Sequence, residues 1–173
     1  MAWTDSRIFQ QAMLNPIAGR CWTTAAPTGF VNLSADSIKV ALYNNTTTPD
    51  RTVSAANSAY AVGQWVVGNE VTDVTNWVAG GRVLGTKTFT IDTGSSSICF
   101  SAANLSGAGN VTITNAFGCF VYDNTIAAGV TVADQGLCYN YFGGAQSVVA
   151  GAFTIVWATP GGGAVSAVFN ITV

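Results

Sequence analysis

The stretch Ser-Ile-Lys-Val-Ala-Leu-Tyr-Asn at residues 37–44 decides the fold class of this chain. Side chains of a β-strand alternate between two faces, so Ile38, Val40 and Leu42 would share one apolar face. Asp36 precedes the run, and the sequence Asn-Asn-Thr-Thr-Thr-Pro-Asp at residues 44–50 closes it with turn-forming residues. The pattern therefore predicts a bounded strand that packs one face into a core.

Runs of the same kind recur along the rest of the chain. They are residues 82–92, 97–101, 111–114, 117–122, 137–142, 153–158 and 165–173. Turn signals separate most of them, at residues 93–96, 107–110, 143–144, 150–151 and 160–163. Many short strands with turns between them predict an all-β protein, an antiparallel β-sandwich of jelly-roll-like or related barrel form. Residues 117–122 are apolar on both faces, which indicates an inner strand or a subunit contact.

One short helix is predicted near the N-terminus. Thr4 or Asp5 could cap it, residues 7–14 would form it, and Asn15-Pro16 would end it. The helix would pack across the end of its own sheet or reach to a neighbour as an arm, and we favour the first. The chain has no fixed-period repeat and no linker. Residues 1–173 are therefore expected to form one domain, with residues 1–20 as a helical N-terminal segment.

Charged residues are scarce in this chain. Six basic and eight acidic residues make 8% of the sequence, whereas soluble domains carry about 25%. Such a surface is either covered by Ser, Thr and Asn or occupied by other subunits, because interface cores are depleted in charge; we favour the second. The six basic residues are scattered, so no nucleic-acid partner is expected. No apolar run approaches the ~18 residues that cross a membrane, so no membrane partner is expected either.

The four cysteines indicate a small apolar role rather than a metal or disulfide role. Cys21, Cys99, Cys119 and Cys138 include no Cys-x-x-Cys pair, and the chain has no histidine, so zinc is not expected. The N-terminal sequence lacks the charged-then-apolar pattern of a signal peptide. We therefore expect synthesis in a reducing cytosol and free thiols.

The absence of histidine also removes the commonest general base and nucleophile partner. Two carboxylate pairs remain conceivable, Glu70 with Asp73 and Asp123 with Asp134, and two acids suffice for a glycosidase. Residues 123–125 and 134–136 are, however, typical of turns. We therefore expect structural roles for these carboxylates and no catalytic residue.

Glycine-rich segments and tryptophans offer no better site. Residues 161–163 lack the Lys-Ser/Thr ending of a phosphate loop and indicate a hairpin, and residues 107–109 precede a strand rather than a helix. The five tryptophans could line a sugar platform, but irregular spacing favours core or subunit contacts; they are Trp3, Trp22, Trp65, Trp77 and Trp157. The sequence predicts no catalytic, metal or cofactor site.

Several motifs resemble small virion structural proteins of tailed bacteriophages, notably those of actinobacteria. The first are the helix-and-stop at residues 9–15, the strand at residues 36–43 and the turn Thr48-Pro49-Asp50. Further matches are Tyr-x-x-Gly-x-Trp at residues 60–65, Asn-Glu-Val at residues 69–71 and Trp-x-Ala-Gly-Gly at residues 77–81, then residues 118–123, 133–138, 142–146 and 153–157. Residues 21–33 and 93–109 match least clearly, and residues 160–163 are richer in glycine than the pattern.

The resemblance implies a capsid decoration (cement) protein. Such a protein would bind the major capsid protein on the exterior of the virion as a closed homo-oligomer, often a trimer, after synthesis in the host cytoplasm. It would not be an enzyme. The resemblance leaves a tail component open, as a tube, baseplate or host-binding tip subunit. The tryptophans leave open a carbohydrate-binding β-sandwich module.

Overall fold

The computed structural model describes residues 3–10, 12, 33, 35–125, 132–159, 161 and 163–172. The described residues are mostly β-strands in antiparallel sheets, which confirms the predicted all-β class. The strands are β1 (Arg7–Ile8), β2 (Ile38–Tyr43), β3 (Glu70–Val71), β4 (Arg82–Val83), β5 (Thr88–Asp92), β6 (Ser97–Ser101), β7 (Leu105–Ser106), β8 (Val111–Asp123), β9 (Gln135–Gly151), β10 (Thr154–Ile155) and β11 (Phe169–Thr172). Three 3₁₀ turns lie at Ala55–Asn57, Gly63–Trp65 and Val67–Asn69.

The largest sheet has the strand order β1-β9-β8-β2-β3, with β4 also paired to β2. Strand β2 lies directly beside β8, with Ile38 opposite Asp123 and Tyr43 opposite Gly118. Two smaller sheets have the orders β10-β7 and β11-β6-β5. The decisive stretch of the sequence is therefore an inner strand, as is the run at residues 117–122 that is apolar on both faces.

The two faces of β2 enter two different cores, because its side chains alternate. Ile38, Val40 and Leu42 pack in a core that also holds Phe100 of β6, Leu105 of β7 and Ile155 of β10. The smaller sheets thus cover one face of the large sheet and form a two-layered sandwich. The other face carries an aromatic core, which comprises Trp3, Phe9, Ala41, Tyr43, Trp65, Phe120, Tyr122 and Tyr139.

The start of the predicted N-terminal helix is wrong. Arg7 and Ile8 form β1 and pair with Tyr139 and Cys138 of β9, so this segment completes its own sheet. Phe9 is fully buried in the aromatic core, and this burial together with pairing to β9 outweighs local helix propensity. Gln10 and Ala12 are helical. Residues 1–2, 11 and 13–20 of the predicted segment lie outside the described residues.

A second difference concerns Gly143 and Gly144, which were expected to separate two strands. Both lie inside the 17-residue strand β9 with positive φ angles of 80° and 156°. Ala116 of β8 pairs with Gln146, whereas Gly118 pairs with Tyr141, so β9 carries extra residues between these two pairs. The glycines therefore form a bulge, which re-aims the strand without ending it.

The hairpin expected around residues 161–163 is also different. The flanking strands β10 and β11 pair with β7 and β6, and not with each other. Across the reversal, the Ala167 N–H donates to the Ala158 carbonyl oxygen at 2.9 Å, and the hydroxyl oxygens of Thr159 and Ser166 are 3.2 Å apart. Pro160 and Gly162 lie outside the described residues.

Candidate functional site

Glu70 and Asp73 have separate sets of partners, so they do not act as a carboxylate pair. Asp73 accepts hydrogen bonds from the backbone N–H groups of Thr75, Asn76 and Thr112 at 2.8–3.0 Å. These donors lower the pKa of Asp73, with Asn76 contributing most. This is the behaviour of a turn residue that holds the start of β8.

Glu70 belongs to a hydrogen-bonded cluster with two tyrosines. Its Oε2 accepts from the phenol of Tyr60 at 2.7 Å, and its Oε1 accepts from the Gly80 N–H at 2.9 Å. The Tyr60 and Tyr122 rings are stacked with centroids 4.9 Å apart. The Tyr122 phenol donates to the Gly80 carbonyl oxygen at 2.7 Å. Burial raises the pKa of Glu70, although its two donors oppose that shift.

This Glu70 cluster explains several of the sequence motifs in physical terms. Tyr60, Glu70, Gly80 and Tyr122 come from four separate motif segments, and the cluster joins all four. Gly81 has φ 70°, and a Cβ there would overlap the carbonyl oxygen of Val40. The motifs therefore specify how the chain packs against β2, and every polar group of the cluster named here is used in that packing.

Asp123 and Asp134 flank the same loop but also have different partners. The Asp123 Oδ1 accepts from the Thr125 N–H at 2.8 Å, and the Asp134 Oδ1 accepts from Asn124 Nδ2 at 2.7 Å. Asp134 has φ 54°, and its carbonyl oxygen accepts from the Tyr60 N–H at 3.0 Å. The geometry fits turn roles for both residues.

The carboxylate that does interact with Asp123 is Asp36, a pairing that the sequence did not predict. Asp123 is fully buried at the end of β8, and its Oδ2 accepts no hydrogen bond from the described residues. Burial, together with the nearby Asp36 carboxyl group, raises the pKa of Asp123 to about 7. The antiparallel register of β2 and β8 brings the two together: Ile38 lies opposite Asp123, and Asp36 lies two residues before Ile38.

The Asp36–Asp123 pair is a poor catalytic site despite its shifted pKa. Asp123 has no exposed surface, so a substrate cannot contact it. The Lys87 Nζ donates a hydrogen bond to the carbonyl oxygen of Asp36 at 2.6 Å, and this bond links the pair to the residue just before β5. In the part of the chain that the structure describes, no group of three or more potential metal-ligating side chains occurs.

Two neighbouring grooves carry no paired acids among their described lining residues. One, of ≈ 870 Å³, lies between β1 and β11 and contains Arg7 and Arg51. Arg7 is already paired with Asp5 at 2.8 Å. A second groove, of ≈ 640 Å³, continues from it and is lined by Phe142, Phe153 and other apolar groups.

The tryptophans and cysteines that the structure describes belong to the interior. Trp3, Trp65 and Trp77 are fully buried and Trp157 is 4% exposed, which confirms the predicted core role and leaves none of these four as a sugar platform. The described cysteines are free and buried; they are Cys99, Cys119 and Cys138. Burial raises the pKa of Cys119 to about 12. Trp22 and Cys21 lie outside the described residues.

The surface of the described residues carries a set of exposed apolar side chains. Ten described side chains of this kind are 40–93% exposed; they are Val62, Val66, Val67, Val74, Val78, Val83, Phe89, Ile91, Val149 and Val156. Five of them fall between residues 62 and 78, around the 3₁₀ turns, and two are on β5. No helix among the described residues is long and apolar enough to cross a membrane.

Comparison of this chain with protein-family models, with curated proteins and with solved structures finds no match.

Proposed function

We propose that this protein is a non-enzymatic structural component of a bacteriophage virion, most specifically a capsid decoration protein that binds the major capsid protein and stabilises the head. The observation that carries the proposal is the exposed apolar set on a chain with only 8% charged residues. Monomeric proteins rarely expose large apolar areas without mixed charge around them, and interface cores have this composition.

The arrangement of the carboxylates supports a structural role. Asp73 and Glu70 accept hydrogen bonds that hold turns and strands together, and Asp123 is closed to substrate. The two-layered sandwich holds several exposed side chains on paired strands, such as Val83 on β4 and Phe89 on β5. Binding to a repeating shell needs such a preorganised surface, because a rigid surface loses less entropy on association.

The proposal includes a closed homo-oligomer, with three copies as the resemblance implies. Several weak contacts made at once by linked copies raise the overall affinity by ~10²–10⁴, so each contact with the capsid protein can be modest. Exposed valines suit this arrangement because they bury apolar area at a small cost in side-chain entropy.

The experiment is a fractionation of purified particles of a phage whose genome encodes this chain. Heads and tails are separated, and the protein is quantified in each fraction by mass spectrometry. We expect it in heads at a fixed ratio to the major capsid protein, and heads that lack it should rebind the purified protein and resist heat better. Its presence in tails alone would favour a tail component, and its absence from both fractions would refute the proposal.

A further inference from the structure

The edge strand β5 presents an open hydrogen-bonding edge. Within the described residues, β5 pairs with β6 on one side and with no strand on the other. Its first four residues, Thr88 to Ile91, are all exposed, with Phe89 at 52% and Ile91 at 71%. An exposed edge with apolar side chains is a template for pairing with another strand.

The usual devices that protect an edge strand are missing from β5. Its five residues pair with β6 without a register shift, so no bulge twists the edge away. It contains no proline and no basic residue, and Lys87 just before it is held by the carbonyl oxygen of Asp36. Asp92 at its end is buried and accepts from the backbone N–H groups of Ala164 and Val165. The exposed part of the edge therefore has no charged side chain that would oppose pairing with another strand.

The sequence of β5 is complementary to itself. In an antiparallel pair centred on Thr90, Phe89 of one copy lies opposite Ile91 of the other, and the reverse contact follows by symmetry. Centring the pair on Phe89 would instead place Ile91 opposite Lys87, and centring it on Ile91 would place Phe89 opposite Thr93. Of these three registers, the one centred on Thr90 places both exposed apolar residues opposite an apolar residue. It places Thr88 opposite Asp92, whose carboxylate is buried and already accepts hydrogen bonds from Ala164 and Val165.

Pairing in this register would continue the cross-strand rows that the sheet already has. Phe89 lies opposite Phe100, which lies opposite Phe169, and Ile91, Ile98 and Ile171 form a second row in the same way. Across the two-fold axis the phenylalanine row of one copy meets the isoleucine row of the other. The three-stranded sheet becomes a six-stranded sheet with one continuous apolar stripe.

We propose that β5 is a two-fold contact surface whose occupant is β5 of a second copy of this chain. The contact gives dimers, or joins two trimers into a hexamer if the proposed three-fold contact also forms. On a shell it would connect neighbouring copies. The inference concerns the self-association part of the proposed function and is tested on purified protein, so either idea can fail while the other stands.

The first test is disulfide trapping of the full-length protein with Cys21→Ser and Cys99→Ser as background, because Cys99 lies opposite Thr90 on β6 of the same chain. Thr90→Cys places two thiols opposite each other at the axis, whereas the control Thr88→Cys leaves them roughly 13 Å apart, beyond disulfide reach. Mild oxidation should give a covalent dimer with Thr90→Cys and little with Thr88→Cys. Equal trapping of both variants, or trapping of neither, would overturn the proposal.

The second test measures mass in solution by sedimentation equilibrium. The parent protein should form an even-numbered species, and a lone monomer or lone trimer would overturn the proposal. Ile91→Lys should weaken pairing by about tenfold or more in dissociation constant, because a buried ammonium opposite Phe89 is costly. The control Thr114→Lys adds the same charge at an exposed residue of β8, outside β5 and outside the exposed apolar set, and should leave the mass unchanged.

Discussion

The Tyr60 phenol donates a 2.7 Å hydrogen bond to the Glu70 carboxylate while its ring stacks on Tyr122. This relationship joins the loop between the first two 3₁₀ turns to β3 and β8. It also leaves Glu70 dependent on two donors, Tyr60 and the Gly80 N–H, to offset the cost of its burial.

Replacing Tyr60 by phenylalanine should therefore destabilise the protein. Tyr60→Phe leaves a half-buried carboxylate with one donor fewer, which costs about 1–3 kcal/mol in the free energy of unfolding. The loss should be smaller near pH 4, because the raised pKa of Glu70 keeps it protonated there in the folded state. Urea unfolding at both pH values checks this. The control is Tyr139→Phe, since the Tyr139 phenol has no hydrogen-bond partner among the described residues; an equal effect of both changes would contradict the prediction.

The stability of the protein should fall as the pH rises towards neutrality, because of Asp123. The pKa of Asp123 is about 7 in the folded state, above its ordinary value of 3.8, so the folded state binds more protons between these values. Because the folded state binds more protons than the unfolded state, the free energy of unfolding falls as the pH rises. The fall is about 1.4 kcal/mol per pH unit for one proton. Above about pH 7 this contribution should be constant, since the group is ionised in both states.

Asp123→Asn should remove that dependence. The variant should gain stability relative to the parent as the pH is raised from about 4 to 7, measured as the difference in free energy of unfolding at each pH. Asp36→Asn should keep the dependence but shift it to lower pH, because burial is the larger cause of the raised pKa and the Asp36 charge the smaller. An Asp123→Asn variant with the same pH profile as the parent would show that Asp123 is ionised in the fold.

Gly81 should tolerate no side chain, whereas Gly85, four residues later, should tolerate one. Gly81 has a positive φ angle, and a Cβ there would overlap the Val40 carbonyl oxygen on β2. Gly81→Ala should cost about 3 kcal/mol or more, since the backbone of β2 cannot move away without breaking its pairing. A Cβ at Gly85 would meet no atom within 4 Å, so Gly85→Ala is the matched control. Thermal unfolding of both variants tests this prediction. Equal melting temperatures would contradict the close packing of Gly81 against β2.

The described cysteines should not react in the folded protein. Cys119 and Cys138 are buried, and burial raises the pKa of both thiols, so the thiolate that attacks alkylating reagents is scarce. Cys99 is buried as well. Iodoacetamide followed by peptide mapping should find these three unmodified until denaturant is added. Rapid labelling of Cys119 in native conditions would contradict its placement in the core.

The sequence by itself determined the elements that depend on neighbouring residues. The alternation at residues 37–44 and the run at residues 117–122 that is apolar on both faces can be read from neighbouring residues alone. In the structure both stretches are inner strands that pair with each other. The buried tryptophans followed from composition and spacing in the same way. The lack of histidine and the scarcity of charge are also properties of the chain alone, and they underlie the proposed function.

Only the tertiary structure decided which distant residues meet. Arg7 and Ile8 are strand because β9 offers them a partner, Gly143 and Gly144 are a bulge because β8 continues beside them, and Asp123 meets Asp36 because of the β2–β8 register. The exposure of β5 has the same origin, since an edge exists only once the order of strands is known. Which strands pair depends on the free energy of the whole sheet, so it cannot be worked out from a short stretch of neighbouring residues.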